Sequence, residues 1–185
     1  MAIYLNIPPN EAYKLLNTGA LVLVSTSDME ENLNITPISW HCPLDFEPVS
    51  KILFVTETKH KTYANIMETG KFVISIPHAS QLPLVRNLGS CSGYEVNKIQ
   101  KFNVEYSLSD KCQLPFPNGC IAYIECSKTR EIIEDGVAIV IGEVLNAKAI
   151  KGCYRDRLVS EKEMGKTIHH LGNDKFIQPG DMIEL

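Results

Sequence analysis

The chain has 185 residues, of which 44% are hydrophobic and 22% charged, a balance that can fill a core on folding. The formal net charge is −4 with no basic block, which excludes a general binder of nucleic acid or anionic membrane, since both need lysine and arginine against phosphate. No apolar run approaches the roughly 20 residues of a membrane span, and the N-terminus lacks a signal-peptide pattern. Six irregularly spaced cysteines without a CxxC read as reduced thiols in a cytoplasmic protein.

In chain order, Pro9 opens a short predicted helix at Glu11–Asn17, and Gly19 ends it. Ala20–Thr26 is an apolar, β-branched run of strand length. The acidic turn Ser27–Leu33 separates it from a second strand, Asn34–His41. Pro43 and Pro48 bracket a loop. Lys51–Glu57 reads as a strand and His60–Glu68 as a helix, with Tyr63, Ile66 and Met67 on one face and Gly70 as its stop. Lys71–Pro77 alternates as a strand, and Ala79–Leu88 is helical, with Pro83 in its first turn. Gly119–Glu134 and Val137–Ile150 are two long strands joined at Asp135-Gly136, a strong hairpin step. Residues 151–185 are polar and weakly patterned. Six or more strands with few helices and no βαβ rhythm predict one domain over 1–185, mainly β, built as an antiparallel barrel with a few peripheral helices.

Three segments stand out: Asn34–His41, which holds the only tryptophan; Val55–Ile66; and Asn87–Gly93 followed by Lys98. Each alone also suits a plain role, as a core anchor, a solvated helix start or a turn. Together they suit one ligand. Thr56, Thr58, Lys61 and Thr62 gather where a strand runs into a helix N-terminus, where free N–H groups and the helix dipole favour an anion. Neither GxxxxGK[ST] nor GxGxxG occurs, so a triphosphate cradle and a Rossmann dinucleotide site are both unsupported. A single terminal phosphate, as in FMN, is the simplest guest. Thr36–Trp40 could offer a flavin ring both an apolar wall and free backbone, because Pro37 is expected to interrupt strand pairing.

The stretches NITPISW, TETKHKTYANI, METGKFVISIP, GSCSGYEVNKIQKF, IGEV and HLG, in that order, resemble the flavin reductase-like family and its flavoredoxin branch over about residues 20–175. The resemblance implies a Greek-key split β-barrel that binds FMN non-covalently at a homodimer interface. It implies that Asn34, Thr36, Pro37, Ile38, Ser39 and Trp40 lie along the isoalloxazine and ribityl chain. It further implies that Thr56, Thr58, Lys61 and Thr62 hold the phosphate, while Ser90, Ser92 and Gly93 close over it or reach the partner's flavin. Relatives that oxidise NAD(P)H commonly carry GDH before the IGxV strand. Here Val137 stands at the histidine position, which favours exchange of electrons with another carrier protein over direct use of NAD(P)H. Cys42 is expected to be a buried, inert thiol, and His60 and His78 to be solvated. A non-catalytic module of the same shape that holds flavin or haem stays open, with His41 or His170 as the axial ligand of a haem.

Overall fold

The computed structural model describes residues 19–155 and 157–183. The expected helix Glu11–Asn17 lies outside them. The strands are β1 (Val22–Ser27), β2 (Leu33–Ile38), β3 (His41–Asp45), β4 (Lys51–Glu57), β5 (Lys71–Ile76), β6 (Tyr106–Leu108), β7 (Pro115–Pro117), β8 (Ala122–Glu134), β9 (Val137–Ala149), β10 (Tyr154–Arg155), β11 (Arg157–Leu158), β12 (His169–Gly172) and β13 (Lys175–Ile177). The helices are α1 (Lys61–Thr69), α2 (Leu82–Gly89) and α3 (Lys98–Lys101).

Seven strands form one antiparallel sheet in the order β2-β1-β5-β8-β9-β4-β3. Its two end strands, β2 and β3, follow each other directly in the chain. The sheet must therefore curl until its edges approach at Ser39-Trp40, where the Trp40 carbonyl accepts from Val55 N–H at 2.9 Å. Val22, Val24, Ile38, Ile52, Phe54, Phe72, Ile74, Cys126 and Val140 come from six strands around that curl into one buried cluster, the inside of a split barrel. The chain leaves β4, passes through α1 and returns in β5 beside β1, which supplies the Greek-key step. Helix α1 packs Ile66, Tyr63 and Met67 onto the same core against β1, β2 and β4, and so covers the split. Gly70 ends it in the left-handed region, with φ 68°.

A second core lies on the outer side of β1 and β2. There Leu21, Leu23 and Ile35 pack under Val85 and Leu88 of α2, with Val104, Cys120 and Ile168. The long β8–β9 hairpin turns at Asp135 (φ 48°) and Gly136 (φ 83°), the conformation that an Asp-Gly step is chosen for.

Several expectations need correction. The strand Asn34–His41 is two strands, because the chain crosses the split at Ser39-Trp40. The loop between Pro43 and Pro48 is in part β3, an edge strand, where the missing proline N–H is tolerated. Pairing of β1 with β2 runs unbroken through Pro37. The Ile35 carbonyl points outward to Lys98, and Pro37, two residues on, shares that orientation, so its absent N–H falls on the open edge. Cys42 is exposed on β3. His78 is bonded at both ring nitrogens, to Ser80 and to the Glu163 carbonyl. The tail contains two small hairpins, β10–β11 and β12–β13.

Candidate functional site

The open edge of β2 is the floor of a cleft of about 1010 Å³, at the upper end of small-molecule sites. One wall is the first turn of α1, the other is α2 with the turn that follows it, and β12–β13 closes the far side. Each wall has a local cause. Helix α1 follows His60, which has extended backbone and gives no side-chain cap; the Tyr63 N–H is taken by the His60 carbonyl, and the N–H groups of Lys61 and Thr62 are left for a ligand. Helix α2 lies close on β2 because Gly89 has no side chain: a Cβ there would meet Pro37 Cγ at 3.1 Å.

Nine of the thirteen expected residues line this cleft: Asn34, Thr36, Pro37, Ser39, Lys61, Thr62, Ser90, Ser92 and Gly93. The structure does not bring the other four to it. Ile38 belongs to the inner core. Trp40 stands half exposed at the strand crossing. Thr56 is buried, with Oγ1 3.3 Å from His60 Nδ1. Thr58 donates its hydroxyl to the Gly136 carbonyl at 3.1 Å, tying the β8–β9 turn to the approach of α1. Val137, next in that turn, is likewise outside the cleft lining.

At the α1 end, Asn34 is buried and its Nδ2 donates to Thr62 Oγ1 at 3.0 Å and to Thr36 Oγ1 at 3.1 Å. Lys61 sits 3.6 Å from Asp28 Oδ2. Burial opposes ionisation of Asp28, but hydrogen bonds from Asn32 and Glu30 and the Lys61 charge outweigh it and hold its carboxyl below the usual range. The loop after α2 bears on Asn34 at Gly93, where a Cβ would lie 2.2 Å from Asn34 Oδ1. Only glycine fits there.

The sequence alone did not single out several wall residues. Arg86, Asn173, Asp174 and Phe176 all line the cleft, as do His60, which was expected to be solvated, and Lys98, which was expected beside the third segment and whose ammonium is buried. Burial lowers the Lys98 pKa, partly offset by Cys91. Arg86 pairs with Asp174 at 3.0 Å across the cleft rim, joining α2 to the β12–β13 turn. The apolar spacing of α2 signals its buried face, Val85 and Leu88, but gives no sign of the polar face that looks into the cleft. His170 faces the cleft with both ring nitrogens engaged, Nδ1 3.2 Å from Ser39 Oγ and Nε2 2.8 Å from the Asn173 carbonyl. His41 Nε2 is bonded to the Ala20 carbonyl at 2.5 Å, away from the cleft lining. His170 has no ring nitrogen left for a haem iron, and His41 does not line the cleft.

Residues 16–164 match the flavin reductase like domain. The chain belongs to that family. Among solved structures, component B of nitrilotriacetate monooxygenase from Bacillus cereus superposes with a TM-score of 0.85 at 23% identity, covering 100% of both chains. The flavoredoxin of Desulfovibrio vulgaris (Miyazaki F) gives 0.81 at 22%, covering 100% of this chain and 97% of its own. An FMN-binding domain of a flavin reductases-like enzyme from Shewanella baltica OS155 gives 0.79 at 28%, with 97% and 95% covered. All three share the fold of this chain.

Proposed function

We propose that this chain binds FMN non-covalently in the β2 cleft and works as a flavin-dependent oxidoreductase or electron carrier of the flavoredoxin or flavin reductase type. The observation that carries the reading is the union of an anion site with an apolar trough. The uncapped first turn of α1, with Lys61 and Thr62, stands at one end, and Leu21, Pro37, Val85 and Phe176 line the walls beyond it. A phosphate suits the first and a planar ring the second. The flavin, when bound, supplies hydride and single-electron chemistry at its ring. The protein's own residues bind and orient it: Lys61 and the α1 N–H groups hold the phosphate, Thr36 and Ser39 donate to polar atoms along the cofactor, and Ser90, Ser92 and Gly93 close the side facing α2.

We read all 185 residues as one such domain in a cytoplasmic homodimer. The outer face of β4, β9 and β8 supports the dimer. Leu53 lies opposite Ile141, and Val55 and Ile132 both lie opposite Ile139, a run of incompletely buried apolar side chains on one sheet surface. Val137 at the hairpin favours a partner redox protein over NAD(P)H as electron source.

The test is an absorption spectrum of protein mixed with FMN and desalted, then exposed without oxygen to NADH and NADPH. Retained flavin bands that bleach only with dithionite are the expected result. Bleaching by a nicotinamide would make the protein a reductase in its own right, and loss of all flavin on desalting would overturn tight binding. Replacing both Lys61 and Thr62 by Ala is expected to abolish retention; unchanged retention would remove the phosphate from α1.

A further inference from the structure

Three side chains at the α1 end of the cleft form a hydrogen-bonded chain with a fixed direction. Asn34 Nδ2 gives one hydrogen to Thr36 Oγ1 and the other to Thr62 Oγ1, at 3.1 and 3.0 Å. Thr62 is buried and Thr36 only partly so, and the inner hydroxyl therefore gives its hydrogen to Thr36 Oγ1, 2.8 Å away; the reverse would leave a buried Thr62 hydrogen without an acceptor. A hydroxyl has two acceptor lone pairs and one hydrogen. Both Thr36 lone pairs are thus taken, and among the described residues nothing accepts its hydrogen. Thr36 lines the cleft, so that hydrogen is directed at whatever binds there. Successive donors in such a chain polarise one another and strengthen the last.

Both hydroxyls accept from Asn34 only if its amide nitrogen faces them, and Gly93 settles that. Asn34 Oδ1 is buried without an N–H or O–H partner. It lies 2.2 Å from the point where a Gly93 Cβ would stand, which is the direction of a Gly93 Cα hydrogen. An oxygen there gains a weak Cα–H contact. An NH2 group there would press its hydrogens against another hydrogen and leave both without acceptors.

We propose that Asn34 is a positioning residue that compels the Thr36 hydroxyl to act as a donor, so that the cleft demands an acceptor-only atom of the flavin nucleotide at that point. The inference rests on the FMN reading above. Thr36 then tolerates a carbonyl or phosphate oxygen but rejects a ligand that presents an N–H or O–H in its place, because no lone pair is left to receive it. Asn34 itself need touch no ligand.

Titration of FMN into the flavin-free full chain, followed by quenching of flavin fluorescence, tests this. Thr36→Val is expected to weaken binding about tenfold, the size of one lost hydrogen bond, and Thr36→Ser to stay within about threefold of the parent. Asn34→Asp keeps the shape but can only accept, so the Thr62 and Thr36 hydroxyls turn inward to it. It is expected to cost about tenfold alone and almost nothing further in the Thr36→Val background. A loss that persists in full in that background is plain charge repulsion and overturns the proposal, as does Thr36→Val binding like the parent. If Asn34→Asp does not fold, the parent protein decides by NMR. A Thr36 hydroxyl proton protected from exchange only after FMN is added supports the proposal; one already protected without FMN has an internal acceptor and overturns it. A parent that binds no FMN overturns the cofactor reading and this inference with it.

Discussion

Lys98 Nζ, buried at the start of α3, donates to the Leu88 carbonyl at 2.7 Å, in the last turn of α2, and reaches the Ile35 carbonyl on the open edge of β2 at 3.4 Å. One ammonium thus satisfies a helix-end carbonyl and a sheet-edge carbonyl together, and holds the two walls of the cleft at their spacing.

Burial lowers the pKa of Lys98, which gives this relationship a pH signature. A lysine whose folded pKa lies below its unfolded value gives up its proton first in the native state. Between the two values the unfolded chain holds more protons, so stability rises with pH there. The stability of the parent relative to Lys98→Met is therefore expected to rise on the alkaline side, up to the unfolded lysine value of about 10.4. Urea denaturation of both proteins from pH 7 to 10.5 measures it, and a constant difference would remove the burial argument.

Glu125 gives the opposite case. It is fully buried on β8; its Oε1 accepts from Lys111 and Cys112 N–H at 2.6 and 2.7 Å, and its Oε2 from Asn146 Nδ2 at 2.7 Å. Burial pushes its pKa up, but the hydrogen bonds prevail and hold it below the ordinary value. Its contribution is therefore present above the unfolded pKa of about 4.3 and is lost as pH falls through the lower folded value. Glu125→Gln is expected to cost about 1–3 kcal/mol at pH 7 and to flatten the acid limb of a stability–pH curve. An unchanged acid limb would mean that the carboxylate charge is not what the loop recognises.

What could be read from the sequence, and what could not, follows the same physics. The β8–β9 hairpin was legible because Asp135-Gly136 must adopt positive φ at both positions. Helix α1 was legible from Tyr63, Ile66 and Met67 on one face and Gly70 beyond. Strand β3 was hidden, because Pro43 reads as a loop unless the strand is known to lie at an edge. On the cleft, the motif segments marked β2 and the α1 start. Lys98 could be placed near the site only through its spacing from Gly93, and Phe176 and Asp174 not at all, because a weakly patterned tail becomes a wall only once β12 and β13 pair.

Gly142 on β9 tests the inner core apart from the cleft. A Cβ there would stand 2.4 Å from Phe72 Cζ and 3.1 Å from Cys126 Cβ, and Phe72 is itself locked edge-on against Phe54 at 5.3 Å. The strand interior accepts glycine because the ring fills the missing side chain's place. Gly142→Ala is expected to lose about 1–3 kcal/mol by overpacking, with Phe72→Leu restoring part of it. Thermal melts of the two single variants and the double variant measure the coupling, and simple additivity would show that the alanine does not meet that ring.

Asp28 and Lys61 yield a gain rather than a loss. Asp28 Oδ1 accepts from Asn32 N–H at 2.8 Å and Glu30 N–H at 3.1 Å, holding the turn between β1 and β2, while Oδ2 faces Lys61 at 3.6 Å. Asp28→Asn retains a carbonyl oxygen for the turn but removes the negative charge beside the lysine. Under the phosphate assignment, that charge competes with the ligand for Lys61 and repels it. The variant is expected to bind FMN about threefold more tightly at low salt, the gain shrinking as salt screens the charge it removed. Fold stability is expected to fall by about 1–2 kcal/mol, because Oδ2 also accepts from Asn32 Nδ2 at 3.1 Å and the new amide nitrogen cannot. Riboflavin, which lacks the phosphate, supplies the control. Its affinity is expected to stay unchanged in Asp28→Asn, and an equal gain for both ligands would move the anion away from Lys61.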